Sequence, residues 1–166
     1  MGNGKKANTG GTVSSDGRLI SFTEWDTGDL ALHEINPGVD RRLTNKGTWK
    51  ESDDFAEESA ISRDGKQVAY TWWKVKDKRP ELRLASIVGD PHPRRLYDNP
   101  DISWIRPCDW SPDGTYLAVE VKRSDRTKNR GLTYVQDGSL RLLKSLGGLG
   151  VGTTSLPHYG SYLACE

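Results

Sequence analysis

A short motif that recurs four times along the chain constrains its fold more than any other feature. The motif consists of an apolar residue, Ser, any residue, Asp and Gly, followed by two mixed residues and an apolar run. Its copies start at Val13, Ile61, Trp110 and Leu156. The fourth copy is degraded, because Pro157 replaces the Ser and Tyr159 replaces the Asp. The motif glycines are separated by 48, 49 and 46 residues and are Gly17, Gly65, Gly114 and Gly160. This nearly constant period indicates one structural unit repeated along the chain.

Each copy of the motif predicts a β-hairpin. Its Asp can bond the nearby backbone and its Gly accepts a positive φ, so the two residues favour a tight turn between strands. A polar loop follows each hairpin, at residues 25–29, 74–80 and 122–131. The third strands are predicted at 30–35, 81–87 and 132–135, and the fourth strands at 41–44, 94–97 and 140–143. One unit is therefore a four-stranded antiparallel sheet with the size of a β-propeller blade.

The repeat predicts an all-β fold, a partial β-propeller of about three four-stranded antiparallel blades plus the start of a fourth. We expect a flexible N-terminal tail over residues 1–11 and the incomplete propeller over 12–166, with repeats at 12–58, 59–107, 108–152 and 153–166. The 18 Gly and 8 Pro agree with short strands joined by many turns. Propellers close with about four to eight blades. An open array exposes its end faces, so two chains associate, the chain is part of a larger protein, or its tails cap the ends.

Two segments carry a family resemblance. The Ser-Pro-Asp-Gly sequence at 111–114, with the apolar strand after it, and the Arg-Arg-Leu-Thr ending at 41–44 resemble the TolB-like β-propeller repeat, a WD-repeat-like blade. They are also similar to blades in the propeller domains of prolyl-oligopeptidase-type peptidases. The resemblance covers residues 12–166. It implies a bacterial protein that binds a protein or peptide at one face of the ring, as in cell-envelope propellers, which are often periplasmic.

The motifs of catalysis are missing from the sequence. There is no Gly-x-Ser-x-Gly pentapeptide, no Gly-rich loop with the Lys-Ser/Thr ending, and no paired metal-ligand spacing among His33, His92 and His158. We therefore expect a non-enzymatic interaction module with no catalytic residue, metal or cofactor. In the alternative, the chain is the substrate-gating or accessory propeller part of a larger prolyl-oligopeptidase-type hydrolase, whose catalytic domain is separate.

Charge and hydropathy narrow the class of partner. The 24 Lys and Arg nearly balance the 23 Asp and Glu, so no nucleic acid partner is expected. No apolar run is long enough to span a bilayer, and the N-terminal segment lacks the apolar stretch of a signal peptide. The expected partner is a protein or a second copy of this chain in a homodimer.

The candidate binding residues lie in or beside loops that should share one face of the propeller. The basic candidates are Lys122, Arg123 and Arg126, and the acidic candidates are Asp53 and Asp54. Opposite charges on one face can steer a partner or pair two copies, although solvated loops would look the same in sequence. The aromatic candidates near these loops are Trp25, Trp49, Trp73 and Trp104, because Trp is enriched at interfaces. Packing between blades is the alternative use of these rings, and Trp72 and Trp110 are expected in the core.

The two cysteines, Cys108 and Cys165, are far apart in sequence and form no Cys-x-x-Cys pair. The sequence favours two buried or half-buried thiols, and a disulfide between them is the alternative.

Overall fold

The computed structural model describes residues 11–143, 154–155 and 162–163. Within them, all regular structure is β-strand, arranged in antiparallel sheets in which each strand pairs with the next along the chain. The first sheet consists of β1 Leu19–Glu24, β2 Asp29–Glu34 and β3 Val39–Arg42. The second consists of β4 Phe55–Ile61, β5 Gln67–Lys74, β6 Arg79–Ser86 and β7 Arg94–Tyr97. The third consists of β8 Ile102–Trp110, β9 Tyr116–Arg123, β10 Lys128–Tyr134 and β11 Leu140–Leu143.

A short hairpin follows the third sheet. β12 Thr154–Ser155 pairs antiparallel with β13 Tyr162–Leu163. β12 precedes the degraded fourth copy of the motif and β13 belongs to its apolar run, while residues 156–161 lie outside the described residues. The start of a fourth unit is thus present where the repeat predicted it.

Only the end of the inner strand of the first sheet lies within the described residues. Val13 forms an isolated antiparallel bridge with Ile20, and the amide of Ser21 donates to the carbonyl of Thr12 at 3.0 Å. Residues 1–10, which make up nearly all of the predicted tail, lie outside the described residues.

The inner strands also begin earlier than the motif suggested. Phe55 and Ala56 already pair with β5, so the predicted repeat boundary at 58/59 falls inside β4, and the boundary at 107/108 falls inside β8 in the same way. The polar loops are shorter than predicted, with turns at 25–28, 75–78 and 124–127. The reason is that the backbones of charged residues such as Asp29 and Lys128 continue the pairing between neighbouring strands, which lengthens the hairpins.

The three described motif turns are built alike, as their chemistry predicted. In each, the Ser hydroxyl donates to the Asp carboxylate and accepts the amide at the start of the next strand, and the Gly has a φ of 69° to 72°. The Ser–Asp distances are 2.6 to 2.7 Å for Ser14–Asp16, Ser62–Asp64 and Ser111–Asp113. The same carboxylates accept the backbone amides of Arg18, Lys66 and Thr115.

These motif carboxylates predict a specific loss of stability in acid. Hydrogen bonds from the Ser14 hydroxyl and from Arg18 lower the pKa of Asp16 from 3.8 to about 2, and the corresponding Ser hydroxyls lower the pKa of Asp64 and Asp113. Because the folded pKa lies below the unfolded value, the carboxylates stabilise the fold above about pH 4, and this contribution is lost as the pH falls toward about 2. We expect the triple Asp→Asn variant at these positions to lose less Tm than the wild type between about pH 5 and pH 2, measured by circular dichroism.

The matched control for this acid titration is Glu34→Gln, which changes a half-buried carboxylate on β2 outside the motif. This control should follow the wild-type curve. A triple variant whose Tm declines as steeply as that of the wild type would show that the motif turns do not cause the acid sensitivity.

The core consists of two apolar layers, one between each pair of neighbouring sheets. The first layer joins the first and second sheets and contains Leu30, Leu32, Val68, Tyr70 and Trp72 among its buried residues. The second joins the second and third sheets and contains Leu82, Leu84, Ile105, Trp110 and Val119. Trp72 is 5% exposed and Trp110 is 1% exposed, so both are core residues as predicted. The sheets therefore pack face to face in chain order, as consecutive blades do.

A buried threonine links each of the first two sheets to the next. The Thr23 hydroxyl donates to the carbonyl of Ala56 at 2.9 Å, and the Thr71 hydroxyl donates to the carbonyl of Ile105 at 2.5 Å. Both threonines stand six residues after a motif Gly. On the neighbouring strand they pair with Leu30 and Leu82, respectively.

The third sheet breaks this pattern. Its corresponding residue is Glu120, which pairs with Arg130 where the other sheets have Leu. Glu120 also forms a 3.0 Å ion pair with Arg106. The outward surface of the third sheet is thus charged where the first two sheets are apolar.

Cys108 is half-buried on β8 and is disulfide-bonded. The expectation of a thiol is therefore wrong at this position, and the separation of the two cysteines in sequence gave no sign of the bond. Cys165, the other cysteine of the sequence, lies outside the described residues.

Candidate functional site

One end of the blades gathers most of the candidate residues. We call it the loop face, and it consists of the turns 25–28, 75–78 and 124–127 together with the inter-sheet connections 43–54 and 98–101. Neighbouring segments contact one another across the whole face. The four contacts are Trp49 Nε1 to the Trp25 carbonyl at 2.8 Å, the Val75 amide to Asp54 at 3.0 Å, Arg79 to Asp98 at 2.9 Å, and the Ser124 amide to the Asp101 carbonyl at 2.9 Å.

Four aromatic rings pack together where the first and second sheets meet on the loop face. This aromatic cluster consists of Trp25, Trp49, Phe55 and Trp73. Trp25 and Trp49 stack with centroids 6.4 Å apart, and Phe55 and Trp73 stack at the same distance. All four residues are half-buried, so the cluster both packs against the blades and presents ring surface to solvent.

Polar groups hold the rings of the aromatic cluster in place. Lys46 Nζ lies 4.0 Å from the centroid of the Trp49 ring, within the range of a cation–π interaction. The indole N–H of Trp73 donates to Glu57, which lies on β4. The cluster is therefore fixed by hydrogen bonds and charge as well as by ring packing.

Three of the four predicted tryptophans meet in this cluster. Trp104 does not, because it lies on β8 beside Lys122 of β9, with the Arg106 guanidinium 5.7 Å from its ring. Phe55 is a cluster member that the sequence did not single out. The available signal was its position directly after the acidic connection, since an aromatic residue starting a strand there must lie near the loops.

The acidic candidates divide into a structural residue and an exposed one. Asp54 is half-buried and accepts the amide of Val75, which fastens the connection 43–54 to the turn 75–78. Asp53 is exposed, and its carboxylate has no hydrogen bond or ion pair within the described part of the chain. Hydrogen bonds from Thr48 to Glu51 stabilise the local turn. They also lower the pKa of the Glu51 carboxyl group.

The basic candidates lie at the opposite end of the loop face. Lys122 is half-buried near the end of β9, whereas Arg123 and Arg126 are exposed at and after the end of that strand. In the second sheet the exposed Lys76 and Lys78 occupy the corresponding turn, while the ammonium of Lys74 pairs with Asp77. Basic side chains therefore occur in both the second and the third turn, beside the exposed Asp77 and Asp125.

The parts of the chain that the structure describes contain neither a candidate metal site nor a membrane-spanning helix. They hold no group of three or more His, Cys, Asp and Glu side chains that could bind a metal ion. The same residues include no helix with the length and apolarity needed to cross a bilayer. His33 lies 2.6 Å from Asp40 and His92 lies 3.5 Å from Asp90, so both described histidines contact carboxylates.

Solved structures share this architecture, whereas no family model and no curated protein matches the chain. TolB from Acinetobacter baumannii superposes with a TM-score of 0.59 at 20% identity, over 84% of this chain and 33% of that one. A putative TolB from Agrobacterium tumefaciens gives a TM-score of 0.63 at 20% identity, over 82% of this chain and 45% of that one. The fold is that of a TolB-like β-propeller. The predicted partial propeller is therefore confirmed.

A similar propeller fold is also found in a domain of a protease. The β-propeller domain of the Trilobed protease from Pyrococcus furiosus, which has an open velcro topology, gives a TM-score of 0.55 at 14% identity, over 83% of this chain and 44% of that one. This chain spans between a third and a half of the length of the three structures. The likeness thus defines a propeller module, and the function has to be argued from the loop face.

Proposed function

We propose that this chain is a non-enzymatic protein-interaction module that associates with a second copy of itself through the loop face. The observation that carries the proposal is the aromatic cluster, four half-buried rings that three separate segments bring together. Large aromatic side chains supply much of the binding energy at protein interfaces when a partner covers them. The cluster is a surface of that kind.

The surroundings of the cluster support binding to a protein. Val75, which is 40% exposed, extends the apolar surface along the second turn. Exposed charged side chains flank it on both sides, with Asp53 near the cluster and Lys76 and Lys78 beyond it. An apolar centre with a polar rim is the usual anatomy of a protein–protein interface.

The two histidines that the structure describes contact carboxylates rather than a nucleophile. A nucleophile activated by a histidine requires a hydrogen bond between the two side chains. Among the described residues, the hydrogen bonds and ion pairs of His33 and His92 go to Asp40 and Asp90, and none goes to a Ser, Thr or Cys. The loop face offers ring surface and charge, which are the means of recognition.

Mass in solution tests the proposal directly. Light scattering over a wide range of protein concentration should give a mass near twice 18.5 kDa at the upper end. The variant Trp49→Ala should shift this association to higher concentration, because it removes one of the four rings of the cluster. Tyr116→Ala is the matched control, since Tyr116 is 40% exposed but follows the motif turn at the other end of the third blade. A mass of 18.5 kDa at every concentration would refute self-association.

The second candidate function is the accessory propeller part of a larger hydrolase. The similarity to the propeller domain of the Trilobed protease favours it, together with the partial coverage of every neighbour described above. Mass spectrometry of the native source distinguishes the two candidates. Peptides of this chain within a polypeptide that also carries a hydrolase domain would support the second, and their recovery only at 18.5 kDa would contradict it.

A further inference from the structure

Charge is segregated along the loop face. At the first blade, the exposed side chains without an ion pair in the described ranges are mostly acidic: Asp26, Glu51 and Asp53 against the single Lys50. At the second and third blades such side chains are mostly basic. They are Lys76, Lys78, Arg123 and Arg126, against Asp101 and Asp125. The contacts that join the turns and connections in sequence make this one continuous surface, with an acidic end and a basic end.

The backbone conformation of the second and third turns does not require basic side chains. Lys78 has a φ of 53° and Arg126 has a φ of 70°, a region of conformation that favours glycine. The first turn uses Gly28 for this conformation, with a φ of 80°. Glycine would serve the second and third turns at least as well. The backbone conformation therefore does not itself require long cationic side chains at these two positions, which leaves them available to contact an anionic surface.

We propose that a second copy of this chain stacks its loop face on the first about a two-fold axis, so that the acidic end of each copy covers the basic end of the other. In a two-fold dimer the same surface is used by both partners, and a rotation about an axis within the interface exchanges its two ends. A face with opposite charges at its ends is complementary to itself in that arrangement. This inference rests on the self-association proposed above and assigns its surface and its orientation.

The aromatic cluster gives the stacked arrangement a second source of affinity. It lies at the acidic end of the loop face, where the guanidinium groups of Arg123 and Arg126 from the partner copy arrive. Arginine binds to the faces of tryptophan rings as well as to carboxylates. Lys46 already lies over the Trp49 ring within one copy, so this cluster accepts a cation. Charge sets the orientation of the two copies, and ring contacts hold them together.

A reciprocal charge swap tests this arrangement. The first variant combines Asp26→Arg with Asp53→Arg, so that both ends of its loop face are basic. The second combines Arg123→Glu with Arg126→Glu, so that both ends are acidic. Each variant alone should form homodimers about tenfold more weakly than the wild type at low salt, because every substitution acts twice across the axis. An equimolar mixture should restore dimers, since the substituted side chains of one variant then meet side chains of opposite charge on the other.

Controls make the outcomes of the swap distinct. Lys66→Glu with Arg141→Glu changes the net charge by the same amount at exposed positions away from the loop face and should leave the dimer unchanged. A wild-type dimer that both swapped variants retain would overturn the stacking while self-association stands. If each variant alone dimerised more weakly and the mixture did not restore dimers, the stacked arrangement would also be overturned. Restored dimerisation in the mixture is the signature of direct contact. A wild-type monomer at all concentrations would instead refute the proposed function itself.

Discussion

Replacing Trp110 with alanine should remove about 3–5 kcal/mol of the free energy of unfolding, a large part of the stability of a domain of this size. The Trp110 side chain is 1% exposed and fills the layer between the second and third blades. Its indole N–H donates to the carbonyl of Ala60 at 3.0 Å, so the substitution leaves a cavity and a buried acceptor without its donor. Chemical denaturation monitored by circular dichroism measures the loss as a lower midpoint.

The matched control for this substitution is Trp104→Ala, on the same strand. Trp104 is half-buried and lies outside both apolar layers, so its removal should cost about 1 kcal/mol or less. A third variant, Trp110→Phe, keeps most of the buried ring but loses the hydrogen bond and should fall between the two. Equal losses for Trp110→Ala and Trp104→Ala would contradict the assignment of Trp110 as the centre of the second layer.

Replacing Gly28 with alanine should cost about 2–3 kcal/mol, the second largest effect that we expect. Gly28 has a φ of 80°, which strains any L side chain. A Cβ at this position would also lie 2.8 Å from the Trp49 ring and 2.8 Å from Cε of Lys46. Trp49 must then move away from Trp25, so the substitution affects the aromatic cluster as well as the turn. Denaturation gives the stability loss, and the tryptophan emission spectrum reports the displaced ring.

Gly38→Ala separates the two causes of the Gly28 effect. Gly38 has a similar φ of 87°, but a Cβ there would meet no atom within 4 Å. Its replacement should therefore cost only the backbone strain, about 1 kcal/mol, without a change in tryptophan emission. If the two alanine variants lost the same stability and had the same emission spectrum, the contact between Gly28 and Trp49 would not explain the role of this glycine.

The blades could be predicted from sequence because the motif turns are determined by local chemistry. The Asp and Gly of each motif lie within a few residues of the backbone groups that they serve, so the spacing of Gly17, Gly65 and Gly114 was enough to place the hairpins. The core positions of Trp72 and Trp110 followed from their place inside apolar strands. Repetition then gave the four-stranded plan of the second and third sheets.

The candidate site was predicted only in part, because it depends on contacts between segments that are distant in sequence. Phe55 joins the aromatic cluster because the connection 43–54 folds against two turns, and no local pattern encodes that contact. Trp104 shares the loop context of the other tryptophans but lies on another surface. The disulfide of Cys108 likewise depends on a partner that the repeat does not specify.

In the third sheet, Glu120 and Arg130 stand where the first two sheets have Thr and Leu. This difference affects the cooperativity of unfolding. In a repeat array, stability spreads by coupling between nearest neighbours, so the chemistry of each junction decides which units melt together. Threonine hydroxyls and leucines couple the first three blades through buried, largely apolar junctions. An ionic junction gains less from burial, since desolvation offsets the attraction. The first three blades should therefore open as one unit, and whatever stacks on the third should detach at lower cost and more readily in salt.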